Sequence, residues 1–307
     1  MSNWGKGVIN NIGWGQGANN DIGWGSIYDK SNAGETLLKS ELNIDAFIIE
    51  VDTSKAGTPL DQFQFTGALG DYDVVAKQNG TQVATFNDLS GQETITLPSS
   101  GVYVLEVSAK EVNGFNRINF DNGGDKDKIT DIKQLGNIVW SSFRSAFTGC
   151  SNMNWTANDA PNLSIATSLS NMFDSCDIVN PNVSNWNTGN IEDMSRMFFS
   201  TGAANPNVSF WDVSNCRNFF RMFQVSVANP NARNWNIINA TLMGFIFSSS
   251  EISSENLTAC YENWSQLNLQ QNVSFSAGTT KYNASGQAGR DILVNTYNWT
   301  ITDGGQV

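Results

Sequence analysis

Phe143-Arg144-Ser145-Ala146-Phe147, Leu169-Ser170-Asn171-Met172-Phe173, Met194-Ser195-Arg196-Met197-Phe198, Phe219-Phe220-Arg221-Met222-Phe223 and Met243-Gly244-Phe245-Ile246-Phe247 are five versions of one pattern. Their closing phenylalanines lie 26, 25, 25 and 24 positions apart. A fixed period of that length predicts a solenoid, in which each repeat buries an apolar face against the next. Within each unit the apolar positions fall at i, i+3 and i+4, the spacing that puts three side chains on one face of a helical turn. A second half precedes that turn. Val183-x-x-Trp186-x-Thr188-x-x-Ile191 aligns with Val208-x-x-Trp211-x-Val213-x-x-Cys216 and Ala232-x-x-Trp235-x-Ile237-x-x-Ala240. Each predicts a short strand with tryptophan turned inward. Asn-Pro-Asn returns at 180–182, 205–207 and 229–231, where proline pre-sets the loop to the next strand. Small side chains recur three residues past each phenylalanine, at Cys150, Cys176, Thr201, Ser226 and Ser250.

The run from Trp211-Asp212-Val213-Ser214-Asn215 through Met222-Phe223 resembles the BspA-like leucine-rich-repeat bacterial surface proteins, and residues 292–305 are similar to that family's closing cap. The resemblance covers about residues 125–305. It implies a leucine-rich-repeat fold and a role in surface adhesion or protein binding, and it brings no catalytic residues.

Outward from the repeats, the expected class is α+β. It comprises an extended arm (1–38), a small antiparallel immunoglobulin-like β-sandwich (39–124), the leucine-rich-repeat-like solenoid (125–254) and a C-terminal cap (255–307). The sandwich expectation rests on seven apolar runs in residues 47–120, spaced by about ten residues, with Asn79-Gly80 as a type I′ hairpin turn between two of them. Asp121-Asn122-Gly123-Gly124-Asp125-Lys126-Asp127 reads as a solvated linker. It offers oxygen ligands for calcium but lacks EF-hand spacing. In the cap, Leu257, Tyr261 and Trp264 are placed on the inner face of one helix, and Ile292, Leu293 and Tyr297 on that of a second.

The arm repeats differently, with Trp4-Gly5, Trp14-Gly15 and Trp24-Gly25 every ten residues and Ile12-Gly13 and Ile22-Gly23 between them. Glycine-rich chain loses much entropy on ordering, and so few aliphatics cannot enclose three indoles. Trp4, Trp14, Trp24, Ile12 and Ile22 are therefore expected to dock on another protein. The stretch Asn20-Asp21-Ile22-Gly23-Trp24-Gly25-Ser26-Ile27-Tyr28 also resembles N-terminal segments of tailed-phage virion proteins.

Composition narrows the function. The formal charge of −12 opposes binding to nucleic acid or an anionic membrane. No apolar run approaches the length of a membrane span, and residues 1–7 do not read as the start of a secretory signal peptide. The absence of histidine removes Ser-His-Asp and Cys-His catalysis. The four cysteines, none in C-x-x-C spacing, are expected as buried thiols, and no metal or cofactor is implied. Asp193 and Asp212, in adjacent repeats, could in principle approach as the paired carboxylates of a glycan-cleaving enzyme, but Asn187 and Asn236 at the places matching Asp212 point to a hydrogen-bonding ladder instead. Strand alternation would expose Asn185, Asn187, Phe210, Asp212, Asn234 and Asn236 as a recognition face.

The expectation is a non-enzymatic phage virion structural protein: a head fibre, capsid decoration or tail fibre. It would attach to other virion proteins through residues 1–38, form a homo-oligomer, and present the repeats to a host receptor or glycan. A bacterial surface or secreted adhesin is the alternative, and a glycan-cleaving fibre enzyme a more remote one.

Overall fold

The computed structural model describes residues 43–111 and 113–307. Among the described residues there are ten strands and two α-helices: β1 (Phe47–Asp52), β2 (Gln62–Gln64), β3 (Asp71–Gln78), β4 (Thr81–Ser90), β5 (Thr94–Thr96), β6 (Val102–Ala109), β7 (Ile129–Gln134), β8 (Asn154–Trp155), α1 (Ser254–Trp264), β9 (Ser274–Ser276), α2 (Gln287–Asn295) and β10 (Thr300–Thr302). The main sheet has the order β4-β3-β6-β1-β7-β8, while β2–β5 and β9–β10 form two-stranded sheets. None of these helices is long and apolar enough to cross a membrane.

Six of the seven expected strands form. In β3, Tyr72, Val74 and Ala76 are buried and alternate with half-buried neighbours, the period-two signature of a strand with one face on the core. Asn79 and Gly80 take φ of 51° and 77° and turn the chain into β4, as a type I′ hairpin requires. β1 lies between β6 and β7, antiparallel to both, and is buried at Phe47, Ile48, Ile49 and Val51. The seventh stretch, 115–120, is not a strand. Phe115, Asn116 and Asn119 donate backbone N–H groups to Asp71, Leu69 and Thr66, but the only bridge they make there among the described residues is the isolated Leu69–Arg117 pair, and Phe120 turns away to donate to Ala146 in the first repeat.

The solvated linker is also corrected. Asp125 and Lys128 are fully buried. The Asp125 carboxylate accepts from Thr58 N–H (2.6 Å), Thr58 Oγ1 (2.7 Å) and Gln64 N–H (2.7 Å). Lys128 Nζ donates to Thr58 Oγ1 and to the carbonyls of Thr58, Pro59 and Gln62 at 2.7–3.0 Å. The two charges are 3.9 Å apart, and burial pushes the lysine pKa down. β7 follows at once and pairs with β1 on one side and β8 on the other. The main sheet thus continues across the expected junction into the first repeat, and one apolar core runs from Phe47 to Trp299.

The α+β leucine-rich-repeat solenoid is not the fold. The described chain is mostly β, with several sheets and two short helices, and between β8 and α1 it forms no further strand or helix. The five-residue motifs are tandem turns. Their third residue is left-handed in every copy: Ser145 (φ 52°), Asn171 (55°), Arg196 (54°), Arg221 (60°) and Phe245 (58°). Four residues later the backbone is left-handed again, at Gly149, Ser175, Ser200, Val225 and Ser249. A left-handed residue ends an α-helix, so the N–H groups bond elsewhere. Met194, Arg196, Phe198 and Ser200 donate to the carbonyls of Asn218, Phe220, Met222 and Gln224 in the next repeat, each at 2.9 Å. The same four-bond pattern joins the first repeat to the second, the second to the third and the fourth to the fifth. Inside each repeat Ala146, Met172, Met197, Met222 and Ile246 close i→i−3 turns. The motif's first, fourth and fifth side chains still face inward, and Phe147, Phe173, Phe198, Phe223 and Phe247 stack with centroids 5.4–6.2 Å apart.

The small residues after each phenylalanine seal these turns. Thr201, Ser226 and Ser250 hydroxyls donate to the carbonyls of Phe198, Phe223 and Phe247, and the Cys176 thiol to that of Phe147. All four cysteines are buried free thiols. Burial pushes the Cys176 and Cys216 thiols up to about 12. In the cap, α1 is N-capped by Ser253, whose hydroxyl accepts from Asn256 N–H, and buries Leu257, Tyr261 and Trp264. α2 buries Leu293, but Ile292 faces outward at 36% exposure, a correction to its expected inward place.

Candidate functional site

The tryptophan segments are turns as well. Trp186, Trp211 and Trp235 N–H groups bond to the carbonyls of Val183, Val208 and Ala232 three residues back, and the three indoles are buried. Trp211 Nε1 donates to Val183 O and Trp235 Nε1 to Val208 O, each at 2.9 Å and each reaching the preceding repeat. Trp264 Nε1 donates to Ala232 O at 3.1 Å. Trp264 therefore continues the tryptophan column from within α1, a place its helical spacing in the sequence did not disclose. A buried indole N–H needs an acceptor, and a fixed turn supplies it for Trp211, Trp235 and Trp264, whereas Trp186 Nε1 is buried without one.

On either side of these indoles lie two exposed columns, Asn185–Phe210–Asn234 and Asn187–Asp212–Asn236. The exposure comes from turn geometry and not from a strand. Asn187 Oδ1 accepts from Gly189 N–H, and Asp212 Oδ1 accepts from Ser214 N–H at 2.9 Å. The Asn185 amide donates to Asn158 O at 3.4 Å. Asparagine and aspartate recur here because their short side chains bond the backbone two residues on and fix the turn. Asn190, Asn215 and Asn239 donate across repeats to the carbonyls of Ser164, Gly189 and Ser214. Asn180, Asn205 and Asn229 accept from the N–H of Asn205, Asn229 and Ser253. Each Asn-Pro-Asn is thus a cross-repeat tie in addition to a loop. Phe210 is 81% exposed and stands among these anchored groups.

The two carboxylates considered as a pair each bond a backbone N–H of their own turn. Asp193 Oδ1 accepts from Ser195 N–H, and Asp212 is bound in its own turn. Hydrogen bonds from the Ser214 hydroxyl and N–H hold the Asp212 carboxyl below the usual carboxylate range. A general acid of a glycosidase needs the opposite shift. What the two columns offer chemically is a stiff surface of amides around one ring.

A second surface comes from the turn motifs. Arg196 Nε and Nη2 both lie 2.7 Å from Asp174 Oδ2, and its guanidinium sits 3.9 Å from the Phe199 ring centroid. Arg221, Phe220 and Phe245 follow on the next two repeats. If the motif were helical, these residues would scatter over a solvated face. Their grouping depends on the left-handed turns, and the turn-favouring Gly149 and Asn171 at left-handed positions were the available signal. Trp4, Ile12, Trp14, Ile22 and Trp24, expected to dock on other virion proteins, lie outside the described residues.

Residues 141–261, less than half of the chain, match a family described as "Mycoplasma protein of unknown function, DUF285". The match spans the five turn motifs and ends within α1. No curated protein and no solved structure matches the chain.

Proposed function

We propose that the protein is a non-enzymatic structural component of a phage virion: a head fibre, capsid decoration or tail fibre. In this reading residues 1–38 attach to neighbouring virion proteins, several copies assemble on each particle, and the repeat block meets the host surface. The observation that carries the recognition half is Phe210, a nearly free aromatic ring in line with Asn185 and Asn234 and beside Asn187 and Asp212, which are tied to their own turns. An interface gains most from such an anchor when the groups around it need no ordering. The attachment half is supported by the tryptophan-glycine leader, which is too poor in aliphatic side chains to enclose its own indoles.

The test uses whole particles and purified protein. Removing residues 1–38 leaves the thermal transition of the remainder within about 2 °C and abolishes incorporation into virions; a truncated chain that unfolds would instead make the leader part of the core. Phe210→Ser lowers adsorption to host cells at least tenfold with no loss of stability, and unchanged adsorption would remove Phe210 from the recognition face.

A bacterial surface or secreted adhesin is the second reading, favoured by the family match, whose description is of a Mycoplasma protein. Immunogold labelling separates the two: label on particles supports the first, and label on uninfected cells supports the second.

A further inference from the structure

One cation of the repeat block has aromatic neighbours and no anion. The Arg221 guanidinium lies 5.0 Å from the Phe220 centroid and 5.3 Å from that of Phe245, and the two rings meet edge to face at 6.1 Å. Among the described residues no carboxylate lies within ion-pair distance of Arg221. Its Nε is buried without an acceptor, and three residues on, Gln224 Oε1 is buried without a donor. Gly244 leaves room for the Phe220 ring, which a Cβ at that position would touch at 3.4 Å. Phe245 is 45% and Leu242 53% exposed. Arg196, one repeat earlier, shows what the arrangement accepts, since its guanidinium rests on a ring and holds a carboxylate oxygen.

We propose that Arg221, Phe220 and Phe245 form a binding site for the carboxylate of an acidic oligosaccharide, a sugar acid set among neutral sugars. This deepens the recognition reading of the repeat block and rests on it. A guanidinium whose π face is engaged by rings presents its remaining donors in plane, and a carboxylate matches that fork with two parallel bonds. The exposed Phe245 and Leu242 supply an apolar surface for the C–H face of a sugar ring. Because Arg221 Nε is itself buried, the fork that meets the carboxylate is the pair of terminal guanidinium nitrogens. An acidic protein side chain brings the carboxylate without the saturated ring face that the exposed Phe245 and Leu242 would cover. The net charge of −12 opposes a densely charged polymer, whereas isolated carboxylates are shielded from distant charges beyond about 8 Å at physiological salt.

The experiment is calorimetric titration of the full chain with a tetrasaccharide alternating glucuronate and N-acetylglucosamine, against the same tetrasaccharide with its carboxyls reduced to alcohols. The expected result is at least tenfold tighter binding of the acidic form. Arg221→Met abolishes that preference, Arg221→Lys weakens acid binding at least fivefold although the charge remains, and Phe245→Ser weakens both sugars. Phe245 is exposed enough that its replacement leaves the fold intact, so a misfolded Arg221 variant would not leave the question open. Equal binding of the two sugars, acid preference surviving in Arg221→Met, or binding of a glutamate-rich peptide in place of either sugar would overturn the proposal. If neither sugar binds while Phe210-dependent host adsorption persists, this site falls and the recognition reading stands; loss of that adsorption dependence is the separate failure of the reading itself.

Discussion

The main sheet and the repeat block both bind neighbouring segments through backbone hydrogen bonds, yet they reach that end with different backbone conformations. In β3 and β6 the chain is extended, and partners pair residue for residue, as Val74 with Val107 and Ala76 with Leu105. In the repeats two left-handed residues, four positions apart, flank the i→i−3 turns, and every second N–H crosses to the next copy. The sheet tolerates nearly any side chain on its outer face. The repeats demand a left-handed residue at two fixed places, and side chains there either suit that conformation or are strained by it. Cross-segment bonding therefore does not require a strand, and a period of 25 residues does not by itself specify strand plus helix.

The largest effect should separate the halves at their seam. Lys128→Met leaves the buried Asp125 carboxylate without its cation and several carbonyls without their donor, and is expected to destabilise the chain by about 3–5 kcal/mol. Denaturant unfolding measures it. A loss under 1 kcal/mol would mean that the sheet and the repeats hold together without this pair. Next in size, Val225→Gly relieves a β-branched residue at φ 57°. It is expected to stabilise by about 1 kcal/mol, because the left-handed penalty of ~1–2 kcal/mol exceeds the added chain entropy of glycine. Gly149→Ala, at the matching turn position, should destabilise, since its Cβ would strike Asn122 Oδ1. Equal effects of the two changes would break the idea that these positions are conformationally special. The smallest effect is a pH dependence. The Asp212 carboxyl is held below its unfolded value by Ser214, so its contribution is fully present above pH ~3.9 and is lost as pH falls through the lower folded value. In Asp212→Asn that component of the acid transition disappears, and urea midpoints measured from pH 5 to pH 2 would show it.

The sheet half was legible because alternation has a single structural meaning, as in Tyr72, Val74 and Ala76. The inner residues of the repeats were legible too: Phe147, Phe173, Phe198, Phe223 and Phe247 are all fully buried. Their conformation was not. An i, i+3, i+4 spacing faces one way in a helix and also in two successive turns, so the pattern could not tell them apart, and no propensity places Arg196, Val225 or Phe245 in the left-handed region. Of the candidate face, the sequence located the exposed positions beside each tryptophan. It could not show that Asn187 and Asp212 are held by their own turns, since Asx-type bonding depends on where the chain goes two residues later. Arg221 with its two rings was hidden for the same reason as the turns that assemble it.

Because the backbone bonds of the turn motifs all run from donor in one copy to acceptor in the copy after it, while the bonds of the Trp211 and Trp235 indoles and of Asn190, Asn215 and Asn239 all run back to the copy before, the stack has a direction. Each layer presents one recurring set of donors and acceptors to the copy before and another to the copy after, so a duplicated or excised unit of about 25 residues meets matching backbone partners at both cuts, provided it enters in the same orientation. Length is thus an adjustable property of this architecture. A lineage can lengthen or shorten the stack by whole copies while leaving the sheet before it and the helical cap after it untouched.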